Sequence, residues 1–129
     1  MNNNVMHHFI VSAEKSNRPS MVNSANTKEL TLKLSELGYP FTQAQGCYNG
    51  TTEVSFIVAC QFKDMPKLKR ELLAIADSYA QDCIAYVDNE SRLTLEYSNG
   101  ISEYIGKLSV DNEASDAYTS VNGMKYSAK

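Results

Sequence analysis

The chain has 129 residues, 43% of them hydrophobic, and carries a formal net charge of −3 at pH 7. This length allows one domain with a single apolar core and is too short for two ordinary domains. The acidic balance argues against a nucleic-acid backbone as partner, and no window approaches the run of ~20 apolar residues that a membrane-spanning helix needs.

The predicted elements follow the order β-α-β-β-α-β with an added hairpin. Alternating apolar residues predict strands, and apolar residues three or four positions apart predict helices. The strands are predicted at residues 8–14, 42–48, 53–61, 83–87, 93–97 and 102–108, and the helices at 27–37 and 64–79. Asn49-Gly50 joins the second and third strands, because both residues tolerate the positive φ of a tight hairpin turn.

This order predicts an α+β, ferredoxin-like fold, with an antiparallel sheet, both helices on one face and an extra C-terminal hairpin. We expect residues 1–109 to form a single domain. Residues 110–129 are polar and have few large apolar side chains, so a flexible C-terminal tail is expected there.

The third predicted strand is apolar on both faces. Ile57 and Ala59 alternate with Phe56 and Val58. Helices cover only one face of a ferredoxin-like sheet, so the other face needs a different cover. We therefore predict that self-association buries this second face.

The N-terminus and the cysteines indicate a cytoplasmic protein. Residues 1–4 lack the basic and apolar regions of a signal peptide. Cys47, Cys60 and Cys83 are odd in number and have no metal-like spacing, so we interpret them as small buried hydrophobic residues. We expect no metal and no cofactor.

Glu53 and Tyr48 are the first candidates for catalysis. Glu53 begins the third strand, across a tight hairpin from the Tyr48 hydroxyl and beside the flexible Gly46 and Gly50. A solvated strand-end charge and a packing tyrosine are the alternative interpretations of these two residues.

Two further segments contain candidate binding residues. Ser12, Ser16 and Asn17 lie at the end of the first strand and in the loop after it, where binding groups often occur. Gln81 and Asp82 follow the second helix, where an acidic residue opposes the helix dipole. A solvated loop and a polar turn would explain the same residues.

Three short patches occur together in an order that resembles a known enzyme family. They are residues 9–13 with Ser16-Asn17, Gly46-Cys47-Tyr48 followed by Glu53, and Gln81-Asp82-Cys83 with Tyr97, Gly100 and Tyr104 downstream. The set resembles the phage-encoded S-adenosylmethionine lyases, formerly called S-adenosylmethionine hydrolases, over roughly residues 9–108.

The resemblance implies a carbon–sulfur lyase that degrades S-adenosylmethionine to L-homoserine lactone and 5'-methylthioadenosine. Lowering S-adenosylmethionine in the host cytoplasm would serve antirestriction. In such a protein Glu53 and Tyr48 would be catalytic, and a homotrimer would hold the substrate between subunits. Hydrolysis to homoserine, with Glu53 as general base, remains an alternative, as does a non-catalytic binder of S-adenosylmethionine or a related nucleotide metabolite.

Overall fold

The structure is a computed structural model that describes residues 6–129. The first four strands are β1 (Met6–Val11), β2 (Phe41–Tyr48), β3 (Thr51–Gln61) and β4 (Cys83–Val87). The last four strands are β5 (Arg92–Tyr97), β6 (Ser102–Val110), β7 (Ala117–Val121) and β8 (Met124–Ala128). The helices are α1 (Ser20–Leu37) and α2 (Met65–Ser78), and a 3₁₀ turn at Phe62–Asp64 precedes α2.

The eight strands form a closed antiparallel barrel in the order β1-β3-β2-β7-β8-β6-β5-β4, and β4 pairs back onto β1. The prediction of an open ferredoxin-like sheet with an added hairpin is therefore wrong. β5 and β6 extend the sheet beyond β4, and β7 and β8 join β6 to β2, so no edge strand remains among the strands of residues 6–129. Closure satisfies the backbone groups that an open sheet leaves unpaired.

The segment expected to be a flexible tail contains the two closing strands. β7 pairs with β2 over Gln45–Tyr48, and β8 pairs with β6 over Leu108–Val110. Asn122 and Gly123, both with positive φ, form the tight turn between β7 and β8. Part of the polar segment is therefore paired β-structure.

Helix α1 begins earlier than predicted. The sequence pattern predicts a start near residue 27, whereas the helix begins at Ser20, directly after Pro19. Its first two turns are mostly exposed, and their large apolar residues, Met21 and Val22, are 82% and 43% exposed, so no buried apolar stripe marks them. Leu30 and Leu34, from the predicted apolar stripe, are buried.

The two faces of the barrel wall have different neighbours. Side chains from the outer face of β1, β3 and β4, including Phe9, Phe56, Val58 and Ile84, pack with Leu30, Leu34, Leu68 and Leu72 of the helices. Inward side chains line a cavity of about 290 Å³ inside the barrel. The cavity is lined by His8, Ile10, Ile57, Val87, Leu108, Thr119, Val121 and Tyr126. Because Ile57 faces this interior, the second apolar face of β3 is covered within the barrel and gives no evidence for a partner subunit.

Gly106 in β6 allows a close backbone approach to the last residue of the chain. Its φ is +155°, and a Cβ at this position would lie 2.5 Å from the carbonyl carbon of Lys129. The Lys129 N–H donates to the Lys107 carbonyl at 3.2 Å, and the Lys107 N–H donates to the Lys129 carbonyl at 2.9 Å. A side chain at position 106 would therefore push the end of β8 away from β6.

Gly106→Ala is expected to lower the free energy of unfolding by about 3 kcal/mol, since it combines a strained φ with a backbone clash. Gly123→Ala is the matched control, because Gly123 has a φ of +78° but nothing within 4 Å of an added Cβ. The control should cost only about 1 kcal/mol. Urea denaturation of both variants measures the difference, and equal costs would contradict a steric role for Gly106.

Candidate active site

The candidate site lies at the end of the barrel where β1 and β2 finish and β3 and β4 begin. Glu53 is half-buried and pairs in register with Gly46. Strand alternation places Glu53 and Gly46 on the same inward face as Ile57. A Cβ added to Gly46 would make only ordinary van der Waals contacts, and its nearest neighbour would be the Ser55 Oγ at 3.6 Å. The glycine thus leaves space beside the Glu53 carboxylate.

The residues that follow β1 hold the beginning of β3. The Ser12 hydroxyl donates to the Val54 carbonyl at 2.7 Å and accepts the Glu14 N–H at 3.1 Å. The Glu14 Oε1 accepts the Val54 N–H at 2.7 Å, and the Glu14 Oε2 accepts the Thr27 hydroxyl of α1 at 3.2 Å. These bonds fix the backbone directly after Glu53.

The loop between α2 and β4 is bonded to the same segment. The Gln81 Nε2 donates to the Glu14 carbonyl at 2.7 Å. The Lys15 Nζ donates to the Ala80 carbonyl at 2.9 Å, and the Arg18 guanidinium donates to the Tyr79 carbonyl. The Lys15 and Arg18 side chains are therefore bonded to backbone oxygens, and the two loops form one connected rim.

Tyr48 lies at the outer edge of this end of the barrel. It pairs with Thr51, two positions from the Gly46–Glu53 pair and on the same strand face. Diagonal neighbours of this kind are about 7 Å apart, within reach of an aromatic side chain. Tyr48 is 73% exposed, so its ring is free to contact a ligand or a partner chain.

Glu53 sits in an environment that disfavours its charge. Burial raises the pKa of the Glu53 carboxyl above its usual value, and the nearby Glu14 carboxylate adds to the rise, while the Ser12 hydroxyl acts in the opposite direction. Among residues 6–129, neither Glu53 nor Glu14 takes part in an ion pair. Two neighbouring carboxylates with no ion-pair partner among residues 6–129 can serve a cationic ligand.

The structure brings only some of the predicted residues together. Ser12, Gln81 and Glu53 belong to one connected group. Ser16 and Asn17 lie in an exposed turn, and Asp82 is exposed beside β4. None of these three makes a side-chain hydrogen bond to that group within the described part of the chain.

Sequence reasoning missed two residues of this region. Glu14 comes two positions after Ser12, and a carboxylate directly after a buried strand was the available signal. Ser55 is the inward residue after Glu53; it is 3% exposed, and its hydroxyl has no hydrogen-bond partner in the range 6–129. No local pattern distinguishes Ser55 from an ordinary strand serine.

The cysteines and metal-binding residue types give no second site in the described residues. Cys47 and Cys60 are buried and Cys83 is half-buried, all as free thiols. Burial raises the pKa of the Cys60 thiol to about 11, which keeps it protonated and unreactive. From residue 6 onward, no three His, Cys, Asp or Glu side chains group as metal ligands.

The fold and site define a small barrel protein with two neighbouring carboxylates, Glu53 and Glu14, at one end of the barrel. A model of the S-adenosylmethionine lyase family matches residues 9–129. The chain therefore belongs to the S-adenosylmethionine lyase family, which confirms the predicted family and an enzyme of this type. Family membership implies S-adenosylmethionine as the substrate. No curated protein matches the chain in sequence. In the described residues, no helix is long and apolar enough to cross a membrane.

Glu53→Gln is expected to make the protein at least as stable as the wild type at pH 7. Because the folded state raises the pKa of Glu53 above 4.5, its contribution to stability is present below that pH and is lost as the carboxyl ionises. Glutamine stays neutral, so the advantage of the variant should disappear below about pH 4.5. Thermal unfolding from pH 4 to 8 measures this.

Glu29→Gln is the control with the opposite sign. The Tyr79 hydroxyl and Lys33 lower the pKa of the exposed Glu29 carboxyl. This carboxyl therefore stabilises the fold when ionised, and the variant should lose a little stability at pH 7. A Glu53→Gln protein that is less stable than wild type at pH 7 would contradict the inference that the surroundings of Glu53 disfavour its ionised form.

Proposed function

We propose that the chain converts S-adenosylmethionine into L-homoserine lactone and 5'-methylthioadenosine. Family membership supports the substrate. The carboxylates of Glu53 and Glu14, which have no ion-pair partner in the part of the chain that the structure describes, support a cationic ligand. S-adenosylmethionine carries two cationic centres, the α-ammonium and the sulfonium, and one carboxylate. The neighbouring carboxylates of Glu53 and Glu14 complement the two cations, and this observation carries the proposal.

The reaction needs little chemistry from the protein. The substrate carboxylate forms a bond to its own γ-carbon, the bond from that carbon to sulfur breaks, and the electron pair goes to sulfur. The leaving group is a neutral thioether, so no general acid is required. Opposite charges disappear in this step, which favours a site that excludes water. Correct folding of the substrate can contribute on the order of 7 to 11 kcal/mol.

Glu53 would bind the α-ammonium and thereby set the bend of the substrate. Its raised pKa fits this role, because a half-buried carboxylate gains most from a cationic partner. The Tyr48 ring would approach the sulfonium, since an aromatic face attracts a cation. Ser12 and Gln81 fix the rim around Glu53, and the exposed Ser16, Asn17 and Asp82 would contact the substrate only if it extends across the loops.

The deciding experiment follows the oxygen atoms. The purified protein is mixed with a large excess of S-adenosylmethionine in water enriched in heavy oxygen, and products are identified by mass spectrometry over time. Intramolecular attack gives unlabelled homoserine lactone first, and its later hydrolysis places label in the carboxylate. Direct attack by water on the γ-carbon places label in the homoserine hydroxyl.

The location of the label therefore separates the alternatives. Label in the hydroxyl from the earliest time would overturn the lyase mechanism and make Glu53 a general base for water. Intact S-adenosylmethionine bound at one equivalent per site, without turnover, would leave a non-catalytic binder. Early unlabelled lactone together with 5'-methylthioadenosine supports the proposal.

The cellular role and the assembly follow from the same proposal. An enzyme that consumes S-adenosylmethionine in the cytoplasm of a host cell would starve methylation-dependent restriction systems, and cells that express it should contain less of this metabolite. A homotrimer with sites between subunits would cover the exposed Tyr48 ring. Light scattering coupled to size exclusion tests the trimer, and a monomer with full activity would refute sites between subunits.

A further inference from the structure

Glu14 is hydrogen-bonded in the candidate site through both its side chain and its backbone, although the proposed reaction does not use it. Both of its carboxylate oxygens are bonded, one to the backbone of β3 and the other to the Thr27 hydroxyl of α1. Its backbone is bonded as well, through the Ser12 hydroxyl and the Gln81 amide. The side chain is therefore held in one place between a strand and a helix.

The Glu14 carboxylate bonds the backbone of β3 at a position where β1 no longer pairs with it. Backbone pairing between β1 and β3 ends at Val11 and Phe56. Beyond that point the Glu14 carboxylate accepts the Val54 N–H, which belongs to the peptide bond joining Glu53 to Val54. The orientation of this peptide determines where the Glu53 side chain points.

We propose that Glu14 is a positioning residue of the active site, which fixes the backbone beside Glu53 and adds a second negative charge that attracts the cationic substrate. This inference rests on the proposed function, because the cation is S-adenosylmethionine. The cationic groups that neighbour Glu14 are Lys15 and Arg18, whose side chains are bonded to backbone carbonyls and form no ion pair with Glu14 or Glu53 in residues 6–129. Thr27 and Gln81, which bond Glu14, are neutral.

Glu14→Gln tests the charge with almost no change of shape. Loss of the charge should raise KM for S-adenosylmethionine about five-fold and leave kcat within about two-fold. Activity falls at acid pH when Glu53 becomes protonated, and the Glu14 carboxylate raises the pKa of Glu53. The acid limb of the kcat/KM profile should therefore move to lower pH in the variant. If Glu14 had only a structural role, the variant would lose activity, but the acid limb of its kcat/KM profile would stay at the wild-type pH.

Thr27→Val separates anchoring from charge, because it removes the hydroxyl that bonds Glu14 and leaves the carboxylate. This variant should raise KM while the acid limb stays at its wild-type position. Glu29→Gln is the control, since it removes a glutamate of α1 that bonds Tyr79 rather than the site. This control variant should leave both KM and the position of the acid limb unchanged. Wild-type kinetics in Thr27→Val would overturn the anchoring role.

A titration of the free protein distinguishes this inference from the proposed function. The carboxyl carbon of Glu53, followed by nuclear magnetic resonance, should titrate at lower pH in Glu14→Gln than in the wild type. An unchanged titration would overturn the influence of the Glu14 charge on Glu53, whatever the enzyme does. A shifted titration in a protein that does not turn over S-adenosylmethionine would sink the proposed reaction and leave the coupling of the two carboxylates established.

Discussion

Replacing Glu53 with glutamine is expected to lower kcat/KM for S-adenosylmethionine by about a hundred-fold or more. Removing one member of a buried charge pair typically costs about 2–5 kcal/mol, and each 1.4 kcal/mol is a factor of about ten. The variant has nearly the same shape, so the loss reports the charge that holds the α-ammonium. Steady-state release of 5'-methylthioadenosine measures it.

Glu71→Gln is the matched control for this result. Glu71 is also a partly buried glutamate, with 30% of its side chain exposed, but it lies on α2 and faces Lys67. The control should keep nearly full activity. Since Glu53→Gln is expected to remain folded, unfolding cannot account for its loss of activity. A variant within three-fold of wild type would remove Glu53 from the mechanism.

A chain that ends at Val110 is expected to lose its cooperative fold. It lacks β7 and β8, so β2 and β6 become open edges and the inner wall around Ile10 and Ile57 meets water. Unpaired edges and exposed apolar surface favour aggregation. We expect the melting temperature to fall by at least about 10 °C, the effect of losing several kcal/mol. Circular dichroism and size exclusion measure this.

Adding back the missing hairpin controls for the loss of other residues. A synthetic peptide of residues 111–129 should restore part of the melting temperature, because it can pair with both open edges. A scrambled peptide of the same composition should not. A truncated chain that unfolds at the wild-type temperature would mean that the hairpin is an appendage and not part of the barrel wall.

The sequence predicted most strands and helices because their signals are local. The apolar alternation of β3 and the Asn49-Gly50 turn are visible within a few residues, and β3 covers Thr51–Gln61 against a prediction of 53–61. β7 and β8 were missed because two of their inward residues, Thr119 and Tyr126, are polar or amphipathic, which weakens the apolar alternation. The Asn122-Gly123 turn was the local signal for this hairpin.

Barrel closure could not be predicted from the same signals. A β-α-β-β-α-β order suggests neighbours for the early strands but does not say whether the sheet edges stay open. The pairing that closes the barrel joins Gly46 in β2 to Thr119 in β7. Contacts between such distant positions have no signature in a single sequence.

The candidate site was predictable only in part, for the same reason. Glu53 was found because it stands beside a tight turn, and Ser12 because it ends a strand. Glu14 was missed because its importance comes from the bonds to Thr27 and Val54, 13 and 40 positions away. Ser16, Asn17 and Asp82 matched the sequence signals for a site, but they lie exposed at its margin.

The closing contact between β2 and β7 also sets the order of events when the chain is made. The Cys47 thiol bonds the carbonyl of Asp116, 69 positions further along, beside this pairing. Such long-range pairing forms slowly, because the entropy of bringing distant segments together is lost before the contacts form. During synthesis the barrel cannot close until its last strands have left the ribosome. We therefore expect β2 to stay exposed to chaperones until β7 and β8 have emerged.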